Sequence, residues 1–100
     1  MRVELCPNIK KDPDLSRTLK VIDILFNCGA EIIVREDIPL SSDKVVFGSD
    51  KAADMLIVLG GDGSIMRAAR RGAEKDIPVL GIDLGRVGYL AELAPDDELG

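Results

Sequence analysis

Three glycines close around one carboxylate at Gly60-Gly61-Asp62-Gly63, and five apolar residues, Met55-Leu56-Ile57-Val58-Leu59, lead straight into them. A short unbroken apolar run bounded by turn residues is the pattern of a strand buried on both faces. The stretch from Ser64 to about Glu74 reads as a helix. Glycine adopts backbone angles that other residues resist and lets the chain come close to a ligand. A helix beginning there aims unpaired N–H groups and a partial positive charge at the loop, which suits a phosphate. Asp62 would repel that phosphate if the loop only cradled it. It fits a site that handles a proton or a metal ion. Read from its neighbours alone, Asp62 is a general base, a ligand of a nucleotide's magnesium, or an aspartate that steadies the turn and caps the helix. Gly60, Gly61 and Gly63 either fit phosphate or ribose closely or merely permit the turn. Ser64 is expected as the N-cap, with a ligand contact second. Arg67, on the first turn, can reach an anion, whereas Arg70, Arg71 and Lys75 read as a solvated face.

A second loop with chemistry in it is Asp83-Leu84-Gly85-Arg86-Val87-Gly88-Tyr89-Leu90, after the strand-like run Ile77 to Ile82. Tyr89 either stacks on a base or fills the sheet edge, and Asp83 is expected to bond its own loop rather than hold a cation. Upstream, Val3 to Cys6 reads as a strand. Asp12-Pro13 reads as N-cap and first helical residue. Leu15, Leu19, Ile22 and Phe26 recur on one helical face with Leu25 beside them, and Gly29 supplies the stop. Glu31 to Arg35 is the next strand, so the chain opens β-α-β, the unit of a parallel sheet. Glu36 to Ala53 reads as loop, with Lys44 to Phe47 its one candidate extended piece. In a parallel sheet both glycine loops leave from the same edge, where open α/β sheets bind their ligands. Ala94-Pro95-Asp96-Asp97-Glu98 reads as a further helix beginning. The expectation is therefore one N-terminal α/β domain over residues 1–100, belonging to a longer protein.

Composition narrows the function classes. The chain of 100 residues is 46% hydrophobic, with one Tyr, two Phe and no Trp, so its core is aliphatic. The formal net charge of −5 argues against a general nucleic-acid binder, which needs a basic surface. There is no His, so a Ser-His-Asp triad within this chain is excluded. Cys6 and Cys28 make neither a disulfide framework nor a zinc pattern, and read as reduced thiols in a cytoplasmic protein. No run approaches the roughly 18 apolar residues of a membrane span, and Met1-Arg2 leads directly into a strand, so neither span nor signal peptide is expected. A P-loop is absent, and no Gly-x-Gly-x-x-Gly follows the first strand.

Asp54-Met55-Leu56-Ile57-Val58-Leu59-Gly60-Gly61-Asp62-Gly63-Ser64-Ile65-Met66-Arg67-Ala68-Ala69-Arg70 resembles the signature of NAD kinases, a hydrophobic strand followed by Gly-Gly-Asp-Gly-Thr. Gly81-Ile82-Asp83-Leu84-Gly85-Arg86-Val87-Gly88-Tyr89-Leu90 is similar to their second block, Gly-Ile-Asn-Leu-Gly-x-Leu-Gly-Phe-Leu. Diacylglycerol, sphingosine and 6-phosphofructo-kinases share Gly-Gly-Asp-Gly, but the second block sets NAD kinases apart. The resemblance implies a three-layer α/β/α fold with a parallel sheet, completed in that family by a C-terminal β-rich domain. It implies transfer of the ATP γ-phosphate (or a phosphate of polyphosphate) to the 2′-hydroxyl of the adenosine ribose of NAD, with a divalent cation, Mg²⁺. Asp62 matches the family's proton acceptor. Asp62, Gly63 and Arg67 match NAD-binding positions, Tyr89 and Leu90 match positions around the adenine, and Gly60, Gly61 and Ser64 complete the nucleotide loop. No residue matches a protein metal site. The resemblance also implies a homo-oligomer, dimer or tetramer. The departures are Ser64 for Thr and Asp83 for Asn. Alternatives are another Gly-Gly-Asp-Gly kinase with a lipid or sugar acceptor, or a nucleotide-binding module without catalysis.

Overall fold

The structure, a computed structural model, describes residues 1–48, 52–84 and 90–92, the last three as backbone only. In order, the elements are β1 (Arg2–Pro7), α1 (Ser16–Asn27), β2 (Glu31–Val34), β3 (Val45–Phe47), β4 (Met55–Gly60), α2 (Asp62–Lys75), β5 (Val79–Asp83) and β6 (Leu90–Glu92). They form one sheet in the order β3-β2-β1-β4-β5-β6. The first five are parallel and β6 runs antiparallel to β5. The expected parallel α/β domain is what forms.

Alternation along the strands divides the core between two faces. Val3 and Leu5 of β1, Ile32 and Val34 of β2, and Ile57 and Leu59 of β4 pack with Ile22 of α1. Val58 of β4 points the other way and packs with Ile65 and Ala68 of α2. This is why the apolar run of β4 has no polar break: both of its faces are covered. The helices lie on opposite faces because β1-α1-β2 steps one way across the sheet and β4-α2-β5 the other, and crossovers of one hand then fall on opposite sides. Gly72 lets α2 sit close, since an added Cβ would meet the carbonyl oxygen of Ile77 at 2.8 Å and collide with the Val79 side chain.

Several boundaries differ from the sequence expectation. Helix α1 begins at Ser16, not after Asp12, and Leu15 ahead of it is left-handed at φ 58°. Asp12 nevertheless does a cap's work from outside the helix. Its Oδ2 accepts from the Thr18 N–H at 2.9 Å and from Thr18 Oγ1 at 2.8 Å, so Thr18 is fully buried and Asp12 is 3% exposed. That pairing turns the helix. The buried stripe is Leu15, Thr18 and Ile22, while Leu19 and Phe26, both expected inside, are 38% and 49% exposed. The end of α1 follows expectation. Gly29 is left-handed at φ 85°, with Gly29 N bonded to Phe26 O and Ala30 N to Leu25 O.

The candidate extended piece at residues 44–47 is a real strand, β3, paired in parallel with β2 at the sheet edge. Lys44, just before it, bonds Asp23 at 2.7 Å and lies 5.5 Å from the Phe26 ring centre, tying that edge to α1. β5 starts at Val79, two residues later than expected, because Pro78 has no N–H to give the ladder; its carbonyl accepts from Leu56 N. Leu90, read as part of a loop, opens β6. The expected helix beginning at 94–98 lies outside the described residues.

Candidate active site at the carboxyl edge

The order of the sheet creates a place for a site. From β1 the chain moves outward through β2 to β3; it then returns to β4 on the other side of β1 and moves outward through β5. β1 and β4 therefore flank a topological switch point, beyond whose carboxyl ends α/β sheets bind ligands. Gly60 closes β4, Gly61 is the N-cap position of α2, and Asp62 is its first helical residue. Asp62 is exposed and has no hydrogen-bond or ion-pair partner among the described residues. Its carboxylate thus stands unused at the helix N-terminus, on the ligand edge of the sheet.

None of the loop glycines takes a left-handed conformation; Gly61 is extended at φ −101°, ψ −171°. What they supply is close approach. A Cβ on Gly60 would meet Ser64 Cβ at 2.8 Å, Ser64 Oγ at 2.9 Å and Asn8 Cβ at 3.1 Å. A Cβ on Gly61 would meet Lys11 Cε at 3.3 Å, and on Gly63 the Arg67 guanidinium at 3.4 Å. Two cationic side chains thus lean over the loop where glycine leaves room.

Ser64 is not the N-cap, and no side chain caps α2. Its hydroxyl accepts from Asn8 Nδ2 at 2.8 Å and lies 3.4 Å from the Arg67 guanidinium. Asn8 is the residue that the sequence reading passed over. Its N–H bonds Leu59 O, its Oδ1 accepts from Lys10 N, and its carbonyl accepts from Lys11 N and Asp12 N. It folds the β1–α1 connection down onto the glycine loop. The sequence carried a signal for this in Pro7-Asn8, a turn-forming pair, but nothing local to say where the turn would dock.

Arg71 is a correction as well. It is not a member of a solvated face: its guanidinium pairs with Glu4 of β1 at 2.8 Å and touches Cys6 Sγ at 3.8 Å. Burial, with Glu4 beside it, pushes the Cys6 thiol up from its ordinary range against the opposing pull of Arg71. Cys6 therefore has less thiolate than an ordinary cysteine at any pH, and thiolate is the reactive form. Cys28, at the end of α1, is exposed. Iodoacetamide at pH 8 is expected to label Cys28 quickly and Cys6 more slowly, as peptide mass mapping over time would show.

The second loop leaves from the same edge. Asp83 is the register partner of Gly60, and Leu84 N bonds Gly60 O at 2.9 Å. Arg17 of α1 reaches the Leu84 carbonyl at 3.3 Å. Gly85 to Tyr89 lie outside the described residues, as does the side chain of Leu90, so the adenine positions are expectations still. Among the described residues no cluster of three or more Asp, Glu, Cys or His could hold a metal by itself. On the α2 side of the edge is a cleft of about 500 Å³ between the end of β1 and the first turns of α2, with Lys10, Arg35, Arg67 and Arg71 among its lining.

A doubly wound sheet with a glycine loop and an exposed carboxylate at its carboxyl edge defines an α/β domain laid out to bind a ligand there. The family described as the ATP-NAD kinase N-terminal domain matches residues 5–98, and the chain belongs to that family. A NAD kinase of Natranaerobius thermophilus is 45% identical over 95% of this chain and 35% of its own length. NAD kinases of Acetivibrio thermocellus and Bacteroides fragilis are 36% and 34% identical, each over 97% of this chain. The chain spans about a third of the length of these relatives, 35% to 37%.

Proposed function

We propose that this chain is the part of an NAD kinase that carries the proton acceptor, and that the whole enzyme converts NAD to NADP with ATP. The observation that carries the reading is Asp62, exposed and without a partner among the described residues, on the first turn of α2 where β4 ends. Family membership supplies the substrates.

In this reading Asp62 takes the proton of the ribose 2′-hydroxyl. The 2′-oxygen bonds to the γ-phosphorus as the bond from that phosphorus to the β–γ bridging oxygen breaks, and ADP leaves with the electron pair. The chemistry demands little covalent help from the protein, so positioning and charge carry the catalysis. Gly60 and Gly61 keep the loop low, and Gly63, Arg67, Tyr89 and Leu90 hold the dinucleotide. Mg²⁺ usually keeps several waters and binds through one or two carboxylates plus substrate phosphates. Asp62 is kept for the proton in this reading, and no cluster of three or more ligating side chains is present among the described residues, so the cation would be held by the substrate phosphates and its own waters. When bound, the cation neutralises phosphate charge.

We place the remaining contacts of the site in the part of the relatives' length that this chain does not span. No described helix is long and apolar enough to cross a membrane. A cytoplasmic setting is proposed on the two unpaired cysteines, and a homo-oligomer on the resemblance. The test is NADP formation from NAD, ATP and Mg²⁺ by the full-length gene product, beside the 100-residue chain. The long form is expected to be active and the short one inactive. A folded long form that makes no NADP while consuming ATP on a lipid or sugar would replace this reading.

A further inference from the structure

Asp62 has no hydrogen bond or ion pair among the described residues, so its carboxylate stands only where the first turn of α2 holds it. We propose that Asn8, just past the end of β1, is the positioning residue for that turn and acts on the transfer through Ser64, an inference that rests on the kinase reading and deepens it.

Little else holds the turn. No side chain caps α2, and Ile65 N makes the bond to Gly61 O, at 3.0 Å, that opens the helical ladder. Toward β5 the loop is fixed through its backbone, Leu84 N to Gly60 O at 2.9 Å. Toward β1, Asn8 N donates to Leu59 O at 2.8 Å and Asn8 Nδ2 donates to Ser64 Oγ at 2.8 Å. Among the described residues the bond to Ser64 is the one side-chain hydrogen bond that ties the first turn of α2 to another part of the fold.

Asparagine is the residue type that fits. Each polar atom of Asn8 is engaged: besides its N and Nδ2, its carbonyl accepts from Lys11 N and Asp12 N, and its Oδ1 accepts from Lys10 N at 2.9 Å. The bond from Lys10 settles which end of the amide faces which partner, so Nδ2 is the end left for Ser64. An aspartate has the acceptor and lacks the donor, and a serine or an alanine has neither at this reach. Gly60 completes the fit, since a Cβ there would meet Asn8 Cβ at 3.1 Å and Ser64 Cβ at 2.8 Å.

The polarity of the bond has its own effect. A hydroxyl that accepts from an amide N–H keeps its proton to donate. No described residue accepts from Ser64 Oγ. Asn8 thus pins the turn that carries Asp62 and leaves the Ser64 proton for a ligand at the loop. A catalytic group misplaced by about 1 Å costs about 10²-fold in rate, so a tether of this kind bears on turnover before it bears on affinity.

The experiment uses Asn8→Ala and Asn8→Asp in the full-length gene product. Asn8→Ala keeps the Cβ beside Gly60 and drops the tether. Its kcat for NADP formation is expected to fall about 10- to 100-fold, with the KM for NAD within about twofold of wild type. Hydrogen exchange of the Ile65 amide, read by NMR, is expected to quicken about fivefold or more, the worth of one hydrogen bond. In a Ser64→Ala background the same substitution should cost no more than about twofold further, because its partner is already gone. Asn8→Asp keeps the Lys10 bond and still meets Ser64, with the hydroxyl now the donor. Its Ile65 exchange should match wild type while kcat falls, and that fall should shrink in the Ser64→Ala background, which an effect of the added charge alone would not do. Wild-type kcat in Asn8→Ala with faster Ile65 exchange would make the tether structural only and overturn the proposal. A raised KM for NAD at unchanged kcat would overturn it by making Asn8 a binding contact. Losses in Asn8→Ala and Ser64→Ala that simply multiply overturn it as well, since Asn8 would then act by another route. A folded wild type that makes no NADP sinks the kinase reading, whereas unchanged Ile65 exchange in Asn8→Ala sinks the tether whether or not NADP forms.

Discussion

Asp62→Asn in the full-length gene product is expected to lower kcat for NADP formation by about 10²- to 10⁴-fold, the usual worth of a positioned general base. The substitution is nearly isosteric, so the start of α2 keeps its shape. Removing a negative charge from the first turn costs about 0.3–1 kcal/mol of helix-dipole stabilisation, too little to unfold the domain. Since Asp62 has no hydrogen-bond partner among the described residues, no internal network is broken by the change. The KM for NAD should therefore move little, because an interaction made only in the transition state is lost from kcat and kcat/KM alike. Comparable turnover in the variant would show that Asp62 is not the base. Loss of NAD binding together with turnover would leave Asp62 only the NAD-binding role that the resemblance also implies for it.

What was legible in the sequence was what is local. The β4–loop–α2 unit could be read because its signals sit side by side: an apolar run, three glycines, then a stripe of small residues that becomes the buried face Ile65, Ala68 and Gly72. The Gly29 stop was legible for the same reason. What could not be read depends on partners far along the chain. Arg71 looked solvated because Glu4, which holds it, is 67 positions away. Asn8 was passed over because Ser64, its partner, is 56 positions away. β3 was legible only as a candidate extended piece within a loop, because three residues at a sheet edge give periodicity little to count. The face of α1 was misjudged by rule, since a polar Thr18 is not expected at the centre of a buried stripe. That error and the misplaced helix start share one cause, the buried carboxylate of Asp12.

Asp12→Ala is accordingly expected to be the costliest single polar change on the α1 side, about 1.5–5 kcal/mol of unfolding free energy. Two losses add. One is the cap, about 0.5–2 kcal/mol for a side-chain oxygen that serves the first turn. The other is a fully buried Thr18 hydroxyl left without its partner, about 1–3 kcal/mol. Both Thr18 bonds end on one oxygen, Oδ2, so Asp12→Asn, which keeps one carbonyl oxygen there, should cost much less. Thr18→Val on top of Asp12→Ala should cost less than the sum of the two alone, because the orphaned hydroxyl is gone. Urea midpoints of wild type, the three single variants and the double variant at constant slope measure this. The change should reach the site as well. Asp12 N bonds Asn8 O, and the connection between them rests Asn8 on Ser64 and Lys11 on Gly61. Loosening it frees both. NADP formation by Asp12→Ala, assayed at a temperature where the protein is still folded, is expected to fall while Asp12→Asn stays close to wild type. Equal activity in the two would mean that α1 is capped at one end of this connection without any bearing on the glycine loop at the other.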